Sequence, residues 1–235
     1  MIRRASQRRG GIWILGSVVA ALAVVGVLVG LSISGRSSGG GDVPAAAREA
    51  RALLDGVPQS GTSLGRSSAP IIVTEYADLQ CPACRAAAIG LVPHVVDRWV
   101  RPGTVRLVIR PLVFIGPDSG RGALATEAAG RQDRAWTFAD TLYRVQGGEN
   151  SGWLDEAVVT KAARAVGLDG PAFDRARAAA TARGTVRATA RAFASLGANA
   201  TPTFVFAGPR GRQGISGVPT EAGFDSFVMQ VRGRP

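Results

Sequence analysis

Hydrophobic and polar positions change their rhythm several times along the 235-residue chain, and each change predicts an element. Residues 12–33 are a 22-residue run that is almost wholly apolar, inside a longer stretch without charge from Gly10 to Gly35. A helix needs about 20 such residues to cross a bilayer core, whereas a secretory h-region is about 7–15 long. The length favours a retained span over a cleaved signal, although Ser32-Ile33-Ser34 is a tolerable cleavage site. Arg3, Arg4, Arg8 and Arg9 precede the run and only Arg36 follows closely. The positive-inside rule then puts a basic tail, residues 1–11, in the cytoplasm and everything after the span outside. Residues 34–62 read as a linker, Gly/Ser-rich at first, with an Ala-rich stretch at 44–54 that can form a short helix. The folded domain is expected over residues 63–232.

Within that domain the pattern alternates between strand and helix. Residues 71–76, Ile-Ile-Val-Thr-Glu-Tyr, are short and β-branched and read as a buried strand. A turn over residues 77–80 leads to a helix over 81–100, with Pro82 in its first turn and Pro93 inside it as an expected kink. Residues 105–110 are the next strand, stopped by Pro111, which gives a right-handed β-α-β unit. Helices follow over 118–132, 135–146, 153–166, from 169 or 171 onward, and over 185–196. The strand 203–206, a short partner at 214–218 and a helix over 221–231 close the chain.

Composition narrows the class. Hydrophobic residues make up 46% and charged residues 19%, enough to bury a core and too apolar for wholesale disorder. Two cysteines are too few for a disulfide-stapled scaffold or a four-cysteine metal site. Of the 28 basic residues four precede the span, leaving 24 against 17 acids beyond it. Such a surface suits anionic lipid or cell-wall polymer. With no basic helix and no zinc-finger spacing, nucleic acid is not an expected partner.

The chemistry concentrates in Cys81-Pro82-Ala83-Cys84. Two cysteines three apart at the start of a helix share a face and can bring their sulfurs together. The helix N-terminus favours the thiolate of Cys81, which makes it the exposed attacker and Cys84 the resolving partner one turn deeper. A structural disulfide over so short a loop adds little stability. A metal site lacks partners, since His94 is the only histidine, and a Cys–His hydrolase would need that same residue from within one helix. No metal or other cofactor is expected.

The stretch from Ala69-Pro70 through Glu75-Tyr76-Ala77-Asp78 to Cys81-Pro82-Ala83-Cys84 resembles the active-site strand and helix of the DsbA-like thioredoxin-fold oxidoreductases. Thr201-Pro202 before Thr203-Phe204-Val205-Phe206 resembles that family's Thr-cis-Pro before a strand. Arg110-Pro111-Leu112-Val113-Phe114 and the helical segment after it follow the family's order. The resemblance implies an α/β thioredoxin fold with a helical insertion, about residues 115–198, between the β-α-β half and the cis-Pro strand. It implies that Thr201 and Pro202 face the cysteines and hold extended substrate backbone. It implies that Glu75 is a buried acid moving a proton to or from the inner sulfur. It implies that Pro82 and Ala83, between the cysteines, tune the pair. Asp78 reads as turn or capping chemistry. The sequence departs from the family's strong oxidants in lacking a histidine between the cysteines, and Ala198-Asn199-Ala200 replaces a Gly-rich approach to Thr-Pro.

The reading that follows is an extracytoplasmic enzyme that introduces disulfides into exported proteins carrying free thiols. A membrane oxidase of the DsbB or vitamin K epoxide reductase type would reoxidise it. Two alternatives stay open: a reductase or isomerase of the same fold, and a peptide-binding module with an idle disulfide.

Overall fold

The computed structural model describes residues 41–233. The expected basic tail, the expected membrane span and the first part of the expected linker lie outside them. Among the described residues no helix is long and apolar enough to cross a membrane.

The fold begins earlier than the hydrophobic pattern suggests. Val43–Leu54 is a helix, α1, started by the Asp42 carboxylate, which accepts from the N–H of Ala45, and by Pro44 in its first turn. Its stripe of Val43, Ala46, Ala47, Ala50 and Leu54 is buried against the central helices. Two short strands, β1 (Gln59–Ser60) and β2 (Ser63–Leu64), follow. Residues 43–62, expected as linker, are thus structured. The small side chains that made the segment look like a spacer are what lets a helix approach closely.

Next come β3 (Ile71–Ala77), helix α2 over residues 82–100, and β4 (Val105–Pro111). In α2, Pro82–Ala86 and Val92–Val95 are α-helical, while Ala87–Leu91 and Val96–Val100 are π-helical. The kink expected from Pro93 is absorbed by the first wide turn, where Val92 N–H donates to Ala87 O five residues back. Helices α3 (Pro117–Gly130), α4 (Ala135–Arg144), α5 (Glu156–Ala165), α6 (Gly170–Ala178) and α7 (Ala180–Ser195) make up the insertion. Helix α7 starts five residues before the expected position, because Gly184 faces open space and a single helix-interior glycine costs only about 1 kcal/mol. Strands β5 (Thr203–Gly208) and β6 (Gly211–Ser216) and helix α8 (Glu221–Val231) complete the chain.

The strands form one sheet in the order β1-β2-β4-β3-β5-β6. β3 and β4 run parallel across the α2 crossover, and β5 lies antiparallel on the other side of β3. Strand parity then sorts the residues. Ile71, Val73, Glu75 and Ala77 share one face of β3, and the three apolar ones join the main core. Tyr76 points to the other face, where it packs with Leu112, Phe193 and Val205. Phe204 and Phe206 of β5 pack on Phe224 of α8, with ring centroids 6.0 and 4.9 Å apart. Gly208 is required where α8 ends, since a Cβ there would lie 2.5 Å from Val231 O. Alternation therefore puts one carboxyl, Glu75, among core side chains, directly under α2.

Candidate active site

The turn between β3 and α2 is fixed by buried polar side chains. Asp78 is fully buried and its carboxylate accepts three backbone N–H groups, those of Gln80 (2.8 Å), Phe114 (2.7 Å) and Ile115 (2.9 Å). The expected turn role is present, and it extends to tying down the loop after β4. Gln80 bonds Ser119 and Asn150, and Gln146 Nε2 donates to the carbonyls of Leu79 (2.7 Å) and Cys81 (3.1 Å). Gln80 and Gln146 carried no signal in the sequence, because their partners lie 39 to 70 residues away along the chain and only the fold reveals them.

Cys81 is the N-cap of α2 and Cys84 sits in its first turn. Both are free thiols, and Cys84 N–H donates to Cys81 Sγ at 3.4 Å. Cys81 is the outer sulfur, as expected, yet it is only 5% exposed rather than open to solvent. The segment carrying Thr201 and Pro202 covers it: the Cys81 thiol donates to Thr201 O at 3.3 Å, and the Thr201–Pro202 peptide bond is cis. Pro82 and Ala83 stand exposed beside the pair.

The two thiols are pushed apart in acidity. Cys81 is lowered from about 9 to about 6, first by a hydrogen bond from the Cys84 thiol. Burial opposes this shift, while Thr201 and the N–H groups of Cys84 and Ala83 add to it. Once the Cys81 proton leaves, its bond to the Thr201 carbonyl is gone. The Thr201 hydroxyl, buried without another partner, is then the donor on that side. Cys84 is pushed well above 9, first by burial and then by the Cys81 thiolate and Glu75. Glu75 itself is 2% exposed and is raised to about 8 by burial, with Cys81 adding to the shift. The site therefore holds an outer thiolate, an inner thiol and, behind them, a carboxyl that keeps its proton at neutral pH. Cys81, Cys84, Glu75, Thr201 and Pro202 meet at this one spot, with Pro82 and Ala83 exposed at its edge. His94 does not: it bonds Asp225 of α8 at 3.0 Å and lies 3.4 Å from Glu221.

A sheet of this order with a two-cysteine turn at the head of α2 defines a thioredoxin-fold redox protein. A family model described as thioredoxin matches residues 59–215, and the chain belongs to that family. The probable disulfide bond formation protein D of Bacillus anthracis is 36% identical over 99 residues, 41% of this chain and 46% of the relative. The chain thus matches less than half the length of that relative. Among solved structures, oxidised BdbD from Bacillus subtilis superposes with a TM-score of 0.65 at 19% identity, covering 74% of this chain and 96% of that one. Wolbachia pipientis alpha-DsbA1 gives 0.59 at 19% identity, covering 72% and 89%. In fold the protein is a DsbA-like member of the family.

Proposed function

We propose that this protein is an extracytoplasmic thiol–disulfide oxidoreductase that introduces disulfides into exported proteins through Cys81 and Cys84. The observation that carries the reading is the placement of Cys81 as the N-cap of α2, beneath Thr201, with Cys84 fully buried one turn behind it; that placement divides the acidity of the two thiols. A substrate thiolate attacks Cys81 Sγ of the oxidised pair and breaks the Cys81–Cys84 bond. Cys84 leaves as a thiolate, and the Glu75 carboxyl, which holds its proton at neutral pH, protonates it. A second substrate thiolate then attacks the substrate sulfur of the mixed disulfide. Cys81 departs as a thiolate, a good leaving group with a pKa of about 6. Two electrons pass from substrate to enzyme, and the substrate keeps the disulfide.

Stabilising the thiolate stabilises the reduced enzyme, which makes the disulfide form an oxidant. This favours oxidation over the reductase and isomerase readings. Thr201 and Pro202 flank Cys81 and are assigned to the substrate backbone. Residues 12–33 are assigned as the membrane anchor, on their length and the arginines before them. A membrane oxidase of the DsbB or vitamin K epoxide reductase type is assigned as the electron acceptor.

The test is disulfide formation in a reduced two-thiol peptide by the full chain. Cys81→Ser should abolish it, and Cys84→Ser should accumulate the mixed disulfide. Turnover surviving in Cys81→Ser would defeat the assignment.

A further inference from the structure

Glu75 must regain a proton after each turnover, yet it lies in the core with one carboxyl oxygen, Oε1, buried and without a hydrogen-bond partner. One other carboxyl oxygen near it shares that condition. Asp140 of α4 is 5% exposed, and its Oδ1 is likewise buried and unpartnered. Both residues line the same small cavity, roofed by Leu53 and Leu54 of α1 and walled by Ile109, Ala88 and Trp136. The Trp136 indole donates elsewhere, to Thr62 O, and the Tyr143 hydroxyl to Asp78 O. The unpartnered polar oxygens on this wall therefore belong to the two carboxyls, and the cavity is on the scale of about one water molecule. The other oxygen of Asp140 accepts from Arg144 Nε at 2.6 Å, and Arg144 also reaches Glu49 of α1 at the surface. Asp140 thus stands between the cavity and solvent.

We propose that Asp140 and this cavity form the route by which the Glu75 carboxyl exchanges its proton with solvent. The idea rests on the role given to Glu75 above. When Cys84 takes the Glu75 proton, Glu75 is left as a carboxylate. A proton from solvent passes through Asp140 and water in the cavity to Glu75, and Asp140 ends as it began. Arg144 holds the Asp140 carboxylate in place as the acceptor. The ionisable groups around Glu75 are Cys81 and Cys84 of α2, Asp78 of the turn, and Tyr143 and Asp140 of α4. Asp78 is saturated by three N–H donors. Burial pushes the Tyr143 hydroxyl well above its usual range. Of these groups Asp140 is the one suited to pass a proton outward. It is a positioning residue that acts through Glu75 and touches no sulfur.

The experiment is the steady-state turnover of the full chain, oxidising a reduced two-thiol peptide with glutathione disulfide as the acceptor, across pH 5–9, for the wild type, Asp140→Asn, Glu75→Gln and the double variant. Asp140→Asn keeps the side chain's size and its bond to Arg144. It should slow turnover about tenfold near neutral pH and alter the pH profile. Asp140→Glu should restore most of the rate. In the Glu75→Gln background Asp140→Asn should add nothing, because the relay is already cut. A wild-type rate and profile in Asp140→Asn would overturn the proposal. So would an equal fold loss in both backgrounds, which marks a structural effect. Glu75→Gln reacting like the wild type would instead overturn the role of Glu75, and the relay with it.

Discussion

Cys81 and Cys84 are the same side chain three residues apart, and their surroundings make them chemically different. Cys81 caps a helix and receives N–H groups, while Cys84 is sealed within the core. Because the Cys84 thiol is the first cause of the low Cys81 value, Cys84→Ala should raise the midpoint of Cys81 alkylation from about 6 toward 9. A midpoint that stays put would remove the coupling. Glu75 gives a second prediction at this scale. An unfolded glutamate ionises near 4.5, whereas the folded one holds its proton to about 8. Between those values only the unfolded chain has released the proton, so rising pH weakens the fold throughout that window. Glu75→Gln removes the penalty and should stabilise the reduced protein by ~3 kcal/mol at pH 7, with little change at pH 4. Denaturant melts at both pH values check it, and equal effects at the two would refute it. The cysteines were legible in the sequence through their spacing, and Glu75 only through the resemblance to related thioredoxin-fold enzymes. Asp140 was not, since an aspartate on a helix signals nothing until a cavity opens behind it.

At the scale of elements, strands β3 and β4 and helix α8 matched the pattern closely, because their buried residues are large and their periods clean. Helix α1 was harder to read as part of the domain. Its buried face is mostly alanine, and an Ala-rich helix with arginines on its other face reads like a spacer until a partner helix is known. Ala47 and Ala50 are both fully buried, so α1 has no room for larger side chains. Ala47→Leu should cost about 1–3 kcal/mol through overpacking. A loss within ~0.5 kcal/mol, the usual range for a surface site, would mean that α1 is not docked. Gln146 makes a separate case. Removing its amide with Gln146→Ala leaves the Leu79 and Cys81 carbonyls without that donor, at a cost of ~1–3 kcal/mol. Its effect should also appear as faster hydrogen exchange at the active-site turn, where an unaltered rate would speak against the tie.

For the whole molecule, the fold places a thiol pair at the head of a helix, under a covering loop and above a protonated carboxyl. The same constellation serves oxidation or reduction, and the direction is set by which redox state the protein favours. A thiolate stabilised at Cys81 favours the reduced state, so the disulfide should be a stronger oxidant than that of thioredoxin. The nucleophile of thioredoxin titrates near about 7 and that of DsbA near about 3.5, with potentials of about −270 and about −120 mV. A value of about 6 for Cys81 lies between them. Structural disulfides of secreted proteins lie below about −300 mV, so a catalyst well above that passes its disulfide to them downhill. The most direct measurement is the reduction potential of Cys81–Cys84 in the full chain, equilibrated against glutathione buffers. A value of about −180 to −240 mV, between the two references, is expected. A value at or below about −270 mV would contradict the oxidase reading and identify a protein built to give electrons away.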